Sequence, residues 1–90
     1  MDELLRFKSV SANGKNVIFP PKIEFIFYED RVELYKRKKL VRTINYEDIS
    51  EISLIKTWQN NVFINCVPTG VNIYKISDEL FHKIKEITKK

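Results

Sequence analysis

The densest chemistry in this 90-residue chain is the run Lys36-Arg37-Lys38-Lys39, with Arg42 three residues on. Adjacent cations of this kind can engage phosphates with a salt-sensitive affinity, on a lipid headgroup or a nucleic acid. The same residues also suit a solvated turn whose charge discourages edge-to-edge association. Tyr35 beside the run offers one stacking ring, which is less than a platform for successive bases. Glu47, Asp48 and Glu51 form an acidic counterpart. They lack the spacing of a calcium loop, and Asp48 reads as a turn residue bonding local backbone donors. A basic turn on one copy meeting this acidic bend on another is a further reading.

Catalytic and metal chemistry find little material. His82 is the only histidine and Cys66 the only cysteine. A thiol–imidazole pair needs both side chains turned inward, whereas His82 falls on the polar face of its segment. Cys66 shares a strand face with Val62 and Ile64, as an inert buried thiol does. Two glycines leave few places for a phosphate-cradling loop. We therefore expect no enzyme, no cofactor, no metal and no small-molecule substrate. Trp58 is either a core corner or, together with Tyr35, an exposed anchor for a protein partner.

The elements that must carry these residues come from period and punctuation. Ser77–Lys90 alone has a helical period. Leu80, Phe81, Ile84 and Ile87 share about a third of the circumference, Ser77 suits the N-cap, and Ile76 can staple onto Phe81. Before it, short apolar segments alternate with polar turns. Met1–Val10 fits a strand or a short helix and is read as strand. Ser11–Asn16 is expected to turn at Asn13-Gly14, Val17–Phe19 to pair back, and Pro20-Pro21 to stop the pairing. Strands are then expected at Lys22–Tyr28, Arg31–Lys36 and Leu40–Asn45, followed by a bend or helical turn at Tyr46–Asp48. Ile49–Trp58 reads as one long strand, with a turn at Gln59–Asn61. Val62–Val67 and Val71–Ile76 complete the set, separated by the turn Pro68-Thr69-Gly70. The sum is seven or eight antiparallel strands and one closing helix, without the intervening helices that parallel strands require.

The order of these strands, the segment Asp30-Arg-Val-Glu-Leu34, then Ile44-Asn-Tyr-Glu-Asp-Ile-Ser-Glu-Ile52 and the closing helix resemble the pleckstrin-homology-like superfold, in particular small bacterial PH and GRAM-type domains. The resemblance runs from about Lys22 to Lys90. It implies a mainly β fold of two near-orthogonal antiparallel sheets, a partly open barrel with Ser77–Lys90 plugging one end, and it carries no catalytic activity. PH domains that bind phosphoinositides collect basic residues in the first hairpin loop. The corresponding stretch here, Ser11–Asn16 or the Pro20-Pro21 region, offers only Lys15 and Lys22.

Composition sets the remaining bounds. We expect one domain spanning residues 1–90, with residues 1–21 supplying N-terminal strands, and about 60–65% of the unfolded surface buried. The net charge of +4 and pI near 9.2 are mildly basic. Lysines outnumber arginines twelve to four in the sequence, which weakens bidentate base reading. A lone cysteine, no apolar run near the roughly 20 residues of a membrane span and no signal-peptide core together predict a cytoplasmic protein. The expected function is non-catalytic: binding a protein partner, or self-associating as a homo-oligomer, through a sheet edge or the barrel–helix groove. The alternative is an anionic-surface binder, for lipid headgroups or nucleic acid, acting through residues 36–39.

Overall fold

The computed structural model describes residues 2–13 and 22–90. Among these residues seven strands run antiparallel: β1 (Leu5–Asn13), β2 (Lys22–Phe27), β3 (Arg31–Lys36), β4 (Lys39–Asn45), β5 (Ile49–Lys56), β6 (Asn60–Cys66) and β7 (Val71–Ile73). A single 3-10 turn at Tyr46–Asp48 links β4 to β5, and the helix α1 (Asp78–Thr88) ends the chain. The strands form one sheet in the order β4-β3-β2-β1-β7-β6-β5. No ladder joins β4 to β5 among the described residues, so the sheet is not closed.

β1 holds the sheet together because it has two partners. Leu5–Val10 pairs with β2, and Ser11–Asn13 pairs with β7. The turn expected from Ser11 is therefore corrected as far as Asn13. A non-local ladder takes up the backbone of residues whose local preference is for turns. Tyr74 N–H donates to the Val10 carbonyl, and the buried Ser11 hydroxyl donates to the Asn72 carbonyl. The expected turn at Gly14, the returning strand Val17–Phe19 and its proline stop lie outside the described residues.

Other boundaries move as well. β5 stops at Lys56, so the turn occupies Thr57–Gln59, and Asn60 and Asn61 open β6. Those two asparagines are held by tertiary bonds: Asn60 donates to Asp78, and Asn61 accepts from Lys75 N–H. β7 stops at Ile73, where Lys75 takes a left-handed conformation (φ 56°) that ends regular pairing. The helix ends at Thr88, capped by Lys89 at φ 59°.

Alternation along β2, β3 and β6 sends Phe25, Phe27, Val32, Leu34, Val62 and Ile64 into one core. The helix turns Phe81 and Ile84 into that same core, as its apolar stripe predicts, and Ser77 accepts from Leu80 N–H at 3.1 Å as its N-cap. Ile26 points to the opposite face of β2 yet is also buried, flanked in register by Arg6 and Glu33. Long charged side chains can lay their apolar stems over such a residue. Gly70 is required by close approach. A Cβ there would lie 2.4 Å from the Phe63 ring, so the ring of β6 rests on bare backbone.

Candidate interaction surfaces

Lys36 and Lys39 pair across a two-residue hairpin whose central residues, Arg37 and Lys38, have φ of 52° and 66°. Positive φ at both central positions is the type I′ arrangement that suits asparagine and glycine. Occupying it with cations that carry a Cβ costs on the order of 1 kcal/mol per residue. All four residues are exposed, and none forms a salt bridge among the described residues. The tip is thus a compact cationic projection held in a conformation its residues do not favour.

Arg42 belongs to a different arrangement. From β4 its guanidinium donates to the carbonyls of Thr69 at 2.7 Å and Val67 at 3.3 Å, and it reaches Thr69 Oγ1 and Cys66 Sγ at 3.4 and 3.5 Å. It therefore clasps the β6–β7 loop rather than adding to the tip. The Cys66 thiol lies beneath that clasp and donates to the Thr69 carbonyl. Burial raises its pKa, with Arg42 opposing the rise, so the thiol stays protonated and unreactive at neutral pH. No histidine is among its partners. His82 is exposed on α1, its ring 5.5 Å from that of Phe81.

Tyr35 also has a local task. Its hydroxyl donates to Glu33 Oε1 at 2.7 Å, while Arg31 Nε donates to Glu33 Oε2 at 3.1 Å. The Tyr35 hydroxyl first and Arg31 second hold the Glu33 carboxyl below the usual carboxylate range, and the same bond raises the Tyr35 pKa. Arg31 in turn stacks over Tyr28 at 4.4 Å.

At the other end of the β3–β4 hairpin, Glu29, Asp30, Asn45, Tyr46 and Glu47 line a shallow hollow of about 350 Å³. Six strand residues, roughly 20 Å, separate this acidic end from the cationic tip, so the two do not meet within one molecule. Among the described residues, no group of three or more His, Cys, Asp or Glu is placed to hold a metal ion.

Trp58 is the most exposed large apolar residue, at 86%, which sets aside its reading as a core corner. It sits in the β5–β6 turn just beyond Ile55, which is 43% exposed. On the opposite edge, Leu40 and Val41 are 52% and 54% exposed. Neither charge nor motif singles out Leu40, Val41 or Ile55 in the sequence. The signal was nevertheless present: Leu40 and Val41 break the alternation of β4, and the register of β3 against β4 shifts between Leu34 and Tyr35. The turn Thr57–Gln59 is tied to the helix, because Asp78 accepts from Asn60 Nδ2 at 2.8 Å and pairs with Lys56 at 3.6 Å. No described helix is long and apolar enough to cross a membrane. Compared with known proteins, the sequence matches no family model and no curated relative.

Proposed function

We propose that this chain is a non-catalytic interaction module of the cytoplasm that takes a protein partner, or a second copy of itself, along a free sheet edge or the groove between sheet and helix. The observation that carries this reading is the strand order. Among the described residues, β4 and β5 end the sheet with no strand paired on their outer sides, and each edge keeps exposed apolar side chains, Leu40 and Val41 on one and Ile55 and Trp58 on the other. An edge of this kind binds an extended segment by main-chain hydrogen bonds, with neighbouring side chains giving selectivity. The fold is read as PH-like, a single domain of two near-orthogonal sheets in a partly open barrel plugged by α1. The change of partner along β1 at Val10–Ser11 and the shared core of helix and strands support that reading. The test is light scattering across a concentration series, combined with a pull-down repeated on Val41→Lys and Ile55→Lys. A partner or second copy released by one of the two supports the edge reading. A chain that stays monomeric and retains nothing overturns it.

A second reading is favoured by the tip. Arg37 and Lys38 keep their charge where asparagine and glycine would relieve strain, as a surface meeting anionic lipid or nucleic acid would require. Charge reversal at Lys38 and Lys39 should abolish co-sedimentation with anionic vesicles or a nucleic-acid gel shift at low salt. Unchanged binding in both assays removes this reading.

A further inference from the structure

The two edges that carry no further strand among the described residues are not equivalent. β4 begins at the cationic tip, carries the register irregularity opposite Leu34–Tyr35, and is tied by Arg42 to the β6–β7 loop. Charge, bulges and covering contacts are the means by which an edge strand resists pairing. β5 has an irregularity only between Ile49 and Glu51. Beyond it, Ile52-Ser-Leu-Ile-Lys56 contains no proline and one cation, Lys56, which is paired with Asp78.

The backbone groups offered by β5 follow from the ladder. An antiparallel residue directs its N–H and C=O to the same side, and the side alternates along the strand. Tyr74 N–H donates to the Val10 carbonyl, so Tyr74 and Asn72 face β1, and Val71 and Ile73 face β6. Their register partners Ile64 and Val62 therefore face β7, and Asn60 does likewise, its carbonyl accepting from Ile76 N–H. Asn61, Phe63 and Asn65 are left to bond Ile55, Ser53 and Glu51. Ile52, Leu54 and Lys56 consequently present their N–H and C=O groups outward.

We propose that this outward row pairs with β5 of a second copy, antiparallel, about a two-fold axis at Leu54. The proposal rests on the edge reading above and names its partner. Leu54 then lies opposite Leu54, and Ile52 opposite Lys56 on either side, giving about six backbone hydrogen bonds at two per pair. Ile55 falls opposite Ser53 of the second copy and diagonal to its Ile55, so the two exposed isoleucines cover one another. Glu51 meets Thr57, and no like charges stand directly opposite. The other outward residues serve the axis less well. An axis at Lys56 sets lysine against lysine, and one at Ile52 runs the pairing into the irregularity before Glu51. The self-complementary register is the argument for a second copy as the occupant.

The test uses the full chain. In a Cys66→Ala background, Leu54→Cys should form a disulfide-linked dimer on mild oxidation, since facing α-carbons in such a pair lie about 5.5 Å apart. Val41→Cys on the other edge should remain monomeric. Sedimentation equilibrium of the wild-type chain should show a concentration-dependent dimer. Leu54→Pro, which removes an outward N–H and also replaces a side chain packed against the core, should weaken it by about tenfold or more. Ile55→Lys, which leaves the backbone untouched, should weaken it likewise and covers a failure of the proline variant to fold. A wild-type chain still monomeric at millimolar concentration, or cross-linking through Val41→Cys instead, overturns the proposal. If that monomer still binds a protein partner and Ile55→Lys releases it, self-pairing fails and the edge reading stands. If nothing binds at all, both fall.

Discussion

The Tyr46 hydroxyl donates to the main-chain carbonyl of Tyr28, tying the 3-10 turn to the end of β2. Burial, followed by the charge of Asp30, holds its ionisation well above the ordinary tyrosine value. Tyr46→Phe should cost about 1 kcal/mol in urea denaturation, because a partly enclosed carbonyl loses its donor. A cost near zero would mean that water replaces the hydroxyl without loss. Glu33 makes a second residue-scale prediction through its bonds from Tyr35 and Arg31. Its folded pKa lies below that of the unfolded chain, so the carboxylate contributes stability that is fully present above the unfolded value of about 4.3. That stability is lost as pH falls through the lower folded value. Unfolding midpoints should therefore drop below about pH 4.3, and less steeply in Glu33→Gln. Equal slopes in the two proteins would show that the carboxylate is not the group responsible.

At the scale of elements, the β3–β4 turn sets local preference against charge. Lys38→Gly relieves a left-handed lysine and should stabilise the domain by about 1 kcal/mol in thermal or urea unfolding. No change, or a loss, would mean that the Lys38 side chain contributes contacts outweighing its backbone strain. This hairpin was legible in the sequence because the alternation of Arg31–Lys36 and the four cations after it left one place for a turn. The helix was legible for a related reason: its stripe, its N-cap and its staple all reported the same start, although its end falls at Thr88 rather than at Lys90. Where two strands compete for one backbone, local signals fall silent. Ser11 carries turn preference, yet its fate is decided by Asn72, 61 residues away. Arg42 shows the same limit at a candidate site. It is grouped with the tip by sequence, but its bonds go to Val67 and Thr69 on a loop that sequence proximity does not reveal. Trp58 was open to two readings because a strand two residues longer would have carried it inward. The turn at Thr57–Gln59, held through Asn60 and Asp78, carries it outward instead.

The molecule as a whole depends on the helix being part of the core. Ile84 is fully buried, and with Phe81 it joins the cluster that holds Phe25, Ile52 and Ile64 from the strands. A domain of this length has a stability of only about 5–14 kcal/mol. Ile84→Ala should remove about 2–4 kcal/mol of it. Ile84→Asp places a carboxylate where no cation is paired with it, and the loss then approaches the whole. Helix and strands should consequently fail together. In hydrogen exchange of Ile84→Asp, the amides of β2, β3 and β6 should lose protection along with those of α1, and near-ultraviolet circular dichroism should flatten in the same transition. If the strand amides stay protected while the helix alone exchanges, the sheet is a self-sufficient body. The helix would then be an attached surface, free to move away from the sheet.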